Sequence, residues 1–233
     1  MNPENVAIGT RLALVEMIRS GTTTFNDSYF FVERIAEEVD KAGMRAVLAE
    51  PVADFPMPGA KSYAMFENMV GDALKRYGKH PRIHIALGPH STYSCGPELL
   101  KKVQALADKH DLRVHIHLSE TPTEVADVTK RYGHSPVAQL ESLGMVKNGL
   151  IAAHCVEITG DEIALFAKRG VGVSHNPESN MKLGSGMAPV PEMLAANVFL
   201  GLGTDGVASN NNLDMLEEMG TVAYMQKMRF HPL

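Results

Sequence analysis

Val114-His115-Ile116-His117-Leu118-Ser119-Glu120 is an apolar, β-branched run that closes on two imidazoles and a carboxylate. Alternate side chains of a strand share a face, so a strand here points His115 and His117 the same way, about 7 Å apart at a rise of about 3.3 Å per residue. Glu120 then falls just past the strand's end. The pattern suits either a metal ligand with an acid/base beside it or a buried histidine pair next to a solvated carboxylate. Where the remaining histidines and acids fall decides between the two.

Moving downstream, two short helices fit 121–143, broken near Gly133 and Pro136. Leu150 to His154 reads as a strand, and Thr159-Gly160-Asp161-Glu162 has capping-box form for a helix stopped by Gly170. A strand over 171–174 ends in His175-Asn176-Pro177, and a helix follows over 187–196. A strand over 198–203 ends in Thr204-Asp205-Gly206, ahead of a last helix over 213–229. Upstream, 97–110 is helical and the strand over 82–87 runs into Gly88-Pro89-His90-Ser91. A helix from Tyr63 to near Gly78 follows the Pro-rich loop 53–59, which itself follows a strand over 45–52. Val32, Ile35, Ala36 and Val39 mark a surface-packed helix ended by Gly43, preceded by a strand over 22–27. The first helix spans 2–20, opened by Asn2-Pro3-Glu4 and carrying Ile8, Leu12, Val15 and Ile18 at helical spacing.

Seven β-then-α steps result, with strands apolar on both faces as a helix-covered parallel sheet requires. An open doubly wound sheet and a (β/α)8 barrel both fit this alternation. No Gly-x-Gly-x-x-Gly follows a strand, and Gly184-Ser185-Gly186 reads as a flexible turn rather than a phosphate cradle.

Composition narrows the partners. The 233 residues, 45% hydrophobic and 21% charged, can bury the core of a single domain over 1–233. A net charge of −5 with no basic stripe argues against nucleic acid or an anionic membrane surface. Cys95 and Cys155 are far apart and outside any Cys-x-x-Cys, so they read as buried thiols. Without a signal-like start or an 18-residue apolar run, the expected location is cytoplasmic, and Asn26-Asp27-Ser28 is a chance sequon.

Six of the seven strands end in a polar or ionisable residue: Asp27, His90, His117 with Glu120, His154, His175 with Asn176, and Asp205. A bland account explains each singly, with His90 in a loop, His154 as a satisfied core histidine and Asp205 as a helix cap. Taken as a set they match the mouth of a barrel, where such ends converge and active sites lie. Imidazole and carboxylate without thiolate, from His117 and Asp205, suit Zn²⁺ or Fe²⁺. Glu120 and His154 are placed to move protons, and hydrolysis or hydrolytic deamination follows.

Five segments in order, 88–91, 115–121, 152–155, 174–184 and 203–211, resemble the amidohydrolase superfamily, and more narrowly its triazine hydrolase and 5-methylthioadenosine/S-adenosylhomocysteine deaminase branch. The resemblance implies a metal-dependent hydrolase barrel and a C–N-cleaving aminohydrolase acting on a purine-like ring. It implies one Zn²⁺ or, alternatively, Fe²⁺ per chain, held by His117 and Asp205. Asp205 also takes a proton from the attacking water, Glu120 protonates the ring nitrogen, His154 hydrogen-bonds the oxygen nucleophile, and His90, Glu120 and Asp205 contact substrate. His115 becomes a packing residue, Asp27 and His175 supporting or structural groups, and Ser209 a candidate for substrate contact. Guanine-type deamination, triazine hydrolysis or dechlorination, and a non-catalytic chain are the alternatives; a homo-oligomer is compatible.

The resemblance also sets an expectation of extent. The family's barrel starts with a strand ending in His-x-His that supplies two metal ligands, and none precedes Thr22; the family's small β-sandwich has no counterpart either. The expectation is an internal fragment with about seven β/α units, weakened in metal binding and impaired as a deaminase on its own. For the substrate, Phe55 and Met57 in the Pro-rich loop are candidates to pack on the base, and Lys61 is that loop's one cation for a substrate carboxylate.

Overall fold

The structure is a computed structural model that describes residues 1–229. Its chain divides into two compact units, Met1–His115 and Ile116–Leu233, with the boundary inside one strand.

The first unit contains α1 (Pro3–Arg19), β1 (Thr24–Ser28), α2 (Val32–Ala42), β2 (Arg45–Val52), α3 (Tyr63–Tyr77), β3 (Ile83–Pro89), α4 (Pro97–His110) and the start of β4 (Arg113–Leu118). The strands pair in parallel in chain order, Asn26 beside Val47, Leu48 beside Ile85 and Leu87 beside Val114. Both faces of β2 and β3 are covered, which is why their sequences are continuously apolar rather than alternating. Phe66, Leu48, Ile83, Leu87 and Leu100 are fully buried, each worth about 1.5–3 kcal/mol of apolar transfer. Asn2 caps α1 as its sequence announces, its side chain accepting from the Asn5 N–H at 2.9 Å ahead of a proline in the first turn. The apolar stripe that announces α1, however, faces outward. Ile8, Leu12, Val15 and Ile18 are exposed, and Val6, Ala7, Leu14 and Met17 form the buried face. The helix is apolar on both sides, so spacing alone located it without choosing its inner face.

The second unit contains the rest of β4, α5 (Pro122–Tyr132), α6 (Pro136–Ser142), β5 (Leu150–His154), α7 (Gly160–Arg169), β6 (Gly172–His175), α8 (Pro177–Leu183), α9 (Val190–Ala195), β7 (Phe199–Leu202) and α10 (Met215–Arg229). β5, β6 and β7 are parallel neighbours in chain order, with Ala152 beside Val173 and Ser174 beside Gly201. Ile116, Leu118, Leu140, Met145, Phe166 and Met193 fill the core. The capping box of α7 forms as expected, with Thr159 and Glu162 satisfying each other's backbone N–H groups.

Every expected strand is present within two residues of its expected limits, and one helix is additional. α8 starts with Pro177 at its first turn and is closed by Gly184 in a left-handed conformation, φ 70°. Its sequence, Pro-Glu-Ser-Asn-Met-Lys-Leu, is short and has no amphipathic period, so nothing in the residues favoured a helix over a loop. Among the described residues, no helix is long and apolar enough to cross a membrane.

Candidate active site

The side chains in question stand where the strands of the second unit end, and the backbone there is unusual. Ser119 after β4 (φ 49°), His154 and Cys155 at the end of β5 (φ 71° and 49°) and Asp205 after β7 (φ 59°) all adopt left-handed conformations that residues with a Cβ avoid. Each such residue costs on the order of 1–3 kcal/mol and persists only where its surroundings hold it. Here they do. Cys155 donates its N–H to the Leu118 carbonyl at 3.1 Å and Glu157 donates to that of Ser119 at 2.8 Å, tying the end of β5 to that of β4. Glu124 of α5, buried, accepts from the N–H groups of Ser119 (3.2 Å) and Glu120 (2.7 Å), which fixes the turn that presents Glu120. Burial pushes the Glu124 carboxyl up from its ordinary value.

Three of the expected residues come together. The rings of His117 and His154 stack with centroids 5.6 Å apart, and His154 Nε2 lies 3.8 Å from Glu120 Oε2. His154 is almost wholly buried, whereas His117 and Glu120 keep part of their surface open. Asp205, half-buried, accepts through Oδ2 from Ser179 Oγ at 2.7 Å and through Oδ1 from the Gly206 N–H at 2.7 Å.

The residues that hold this group were not singled out from sequence. Ser179 and Asn180 on α8 contact Asp205 and His154 respectively, the latter through Asn180 Oδ1 to His154 Nδ1 at 2.9 Å. Ser185, one residue past the helix's C-cap, donates to Glu120 Oε1 at 3.1 Å. Gly184-Ser185-Gly186 is therefore an ordered element with a buried serine, correcting its reading as a flexible turn. The helix is itself anchored: Thr221 Oγ1 donates to Glu178 at 2.8 Å, the Glu178 N–H to Glu218 at 3.3 Å, and Lys182 bonds the Asn210 carbonyl. Gly203 admits no side chain, because an added Cβ would lie 2.5 Å from Asn176 Oδ1 and 2.8 Å from Ser174 Oγ. The signal available beforehand was a run of small polar residues between two strand ends, which by itself says only loop.

His175 is fully buried, and neither ring nitrogen has a hydrogen-bond partner among the described residues. Burial first, and the neighbouring His154 second, push its imidazole down to about 4, so it is neutral at pH 7. Ser209 sits half-buried in the loop after β7, its N–H bonded to the Gly206 carbonyl.

The expected residues of the first unit have partners of their own. His90 Nδ1 lies 2.8 Å from Ser94 Oγ and 3.3 Å from Ser91 Oγ, with the ring edge-on to Tyr93. His115 Nδ1 lies 3.1 Å from Asn26 Nδ2, and the ring is buried. Loss of water pushes the Asp27 carboxyl up to about 6. Glu50, which the sequence did not flag, is wholly buried on β2, accepts from the Val32 N–H at 2.8 Å, and is pushed up to about 7 by burial. Met57 is buried, whereas Phe55 is exposed.

For a metal, the donor types fit and the number does not. Imidazole from His117 and carboxylate from Asp205 suit zinc, but a catalytic zinc takes three protein ligands. Among the described residues no group of three or more His, Cys, Asp or Glu is placed to hold one.

Comparison with known proteins agrees with this chemistry. The amidohydrolase family model matches residues 1–232. The 5-methylthioadenosine/S-adenosylhomocysteine deaminase of Syntrophomonas wolfei is 45% identical over 98% of the chain and 53% of the relative. The 5'-deoxyadenosine deaminase of Methanothermobacter thermautotrophicus is also 45% identical, over 98% and 53%. A crystal structure of an adenosine deaminase from Xanthomonas campestris with bound zinc superposes with a TM-score of 0.96 at 42% identity, covering 98% of this chain and 52% of that one. The chain thus spans about half the length of the curated relatives it matches. The likeness decides the fold class, a (β/α) barrel type with seven β/α steps rather than an open sheet.

Proposed function

Because the chain belongs to the amidohydrolase family, we propose that it performs hydrolytic deamination of a purine-like ring in a 5'-modified adenosine, with residues 1–233 working as one catalytic domain. The observation that carries the reading is the approach of His154 Nε2 to Glu120 Oε2 at 3.8 Å, beside the stacked ring of His117, at the ends of β4 and β5.

His117 and Asp205 would supply two of the three protein ligands that a catalytic zinc takes, and such an ion when bound would act as a Lewis acid on water. The remaining chemistry belongs to side chains. Glu120 has one oxygen, Oε1, occupied by Ser185, so Oε2 is the oxygen left to carry a proton to the ring nitrogen beside the carbon under attack. His154 Nε2, on the same side, hydrogen-bonds the oxygen that adds. Asp205, steadied on both oxygens, accepts the proton that the nucleophile gives up. Names of the relatives support 5'-deoxyadenosine and 5-methylthioadenosine as the first substrates to try. The two free, buried thiols support a cytoplasmic setting.

The test is the purified chain with added Zn²⁺ against 5'-deoxyadenosine, 5-methylthioadenosine, adenosine, guanine and a chlorotriazine, scored by ammonia release and by loss of adenosine absorbance. Release from the adenosines, slower than by a full-length relative assayed beside it, is the expected result; turnover of the triazine alone, or of nothing, overturns it.

A further inference from the structure

We propose that Asn180 is a positioning residue that sets the tautomer of His154, and that α8 with the turn behind it is the template for the proton-handling groups. The inference rests on the deaminase reading for its kinetic part and on geometry alone for the rest.

An imidazole that serves chemistry through one nitrogen needs its other nitrogen committed, because the partner of the second decides which bears the proton. His154 presents Nε2 to Glu120 Oε2 and Nδ1 to α8. Two amides face that Nδ1, and they ask for opposite states. Asn180 Oδ1, an acceptor at 2.9 Å, asks for a protonated Nδ1; Asn176 Nδ2, a donor at 3.5 Å, asks for a bare one. Asn176 is held in its orientation by Ser174 Oγ, which donates to its Oδ1 at 3.2 Å. The contact to Asn180 has ordinary hydrogen-bond length and the one to Asn176 exceeds it, so Asn180 prevails and Nδ1 carries the proton. Both His154 and Asn180 are buried, which denies water the chance to substitute for either amide. Nε2 is then a lone pair, able to accept from the adding oxygen or from a protonated Glu120.

The same short segment sets the neighbours. Ser185 occupies Glu120 Oε1, and Ser179, adjacent to Asn180, occupies Asp205 Oδ2. Three groups on three different strand ends are thereby indexed to one stretch of seven residues, 179–185. A merely structural helix would not need to contact each of them through a separate polar atom.

Long-range ¹H–¹⁵N correlation spectra of the histidine rings test the proposal, with the His154 signals assigned by their loss in His154→Gln. In the wild-type chain the neutral ring carries its proton on Nδ1. Asn180→Asp, which keeps the acceptor, retains that signature, and Asn180→Ala gives a mixture of tautomers. A wild-type ring protonated on Nε2, or an unchanged tautomer in Asn180→Ala, overturns the assignment. If Asn180→Ala does not fold, the wild-type and Asn180→Asp spectra decide alone. In turnover, Asn180→Ala lowers kcat about 10- to 100-fold with little change in KM, and Asn180→Asp restores most of it. Should the wild-type chain release no ammonia from any substrate, the deaminase reading fails while the spectra still decide the tautomer.

Discussion

The two units place their left-handed, non-glycine residues in different kinds of position. In the first, Phe31 and Asp111 sit at helix boundaries, the start of α2 and the end of α4, where such conformations serve to begin or stop a helix. In the second, Ser119, His154, Cys155 and Asp205 sit at strand ends beside the side chains proposed for chemistry, with Asn197 the exception. The carboxylates of Glu50 and Glu120 differ in the same sense. Glu50 spends its carboxyl on backbone N–H groups at the head of α2, whereas Glu120 has one oxygen steadied by Ser185 and the other turned to His154. The first unit uses strain to shape the backbone; the second also uses it to aim side chains, while its buried Glu124 holds backbone N–H groups much as Glu50 does.

The largest effect that could break this contrast is catalytic. Glu120→Gln keeps the shape and removes the proton, and should lower kcat by about 10²- to 10⁴-fold with an unchanged melting temperature. Glu50→Gln should do the reverse, altering stability and leaving KM and kcat within about two-fold of wild type. A Glu50→Gln chain that folds normally and loses turnover would erase the distinction.

Next in size is the response to pH, where Glu50 and His175 have opposite signs. Glu50 rises from 4.5 to about 7 on folding, so the folded state holds more protons between those values. Its contribution favours folding below about pH 4.5 and is lost as pH climbs through 7, by up to about 3 kcal/mol. His175 falls from 6.5 to about 4, so the unfolded state holds more protons in that window. Its contribution is complete above 6.5 and is lost on acidification towards 4, by a similar amount, about 3 kcal/mol. Urea denaturation across pH 4 to 8 checks both: Glu50→Gln removes the alkaline decline assigned to that group, and His175→Leu removes the acid one.

The smallest effect is relief of backbone strain. Ser119→Gly removes both a left-handed Cβ and a buried hydroxyl without a partner among the described residues, and should stabilise by about 1 kcal/mol, as should Asp111→Gly at an exposed helix end. Differential scanning calorimetry reads the shift. Activity should follow only the first substitution, since Ser119 adjoins Glu120 and Asp111 is the C-cap of α4.

Strands and most helices were legible in the residues because they are written in local terms: β-branched runs, a proline after an N-cap, a glycine at φ near 70° to 80°. His117, Glu120 and His154 were legible because strand-end position and residue type coincide. Three kinds of information were not local. The buried face of α1 depends on which neighbours pack against it, since the helix is apolar on both sides. The carboxyl of Glu50 lies mid-strand, and only tertiary packing carries it to the head of α2. Asn180 and Ser179, with Ser185 two residues past its end, acquire meaning from a heptapeptide that folds as a helix and is tied through Glu178 to α10 and through Lys182 to the loop before it. The last barrel helix ends at Arg229, the limit of the described residues, and the expectation for that stretch holds to that point.

Gly203 sits where β7 turns toward Asp205, with two oxygens from the β6 side filling the space a methyl would take. Variation at that position, even by a single carbon, would shove Asn176 against the imidazole it already borders. Position 203 is thus a spacer whose lack of a side chain keeps Asn176 in place beside His154 Nδ1.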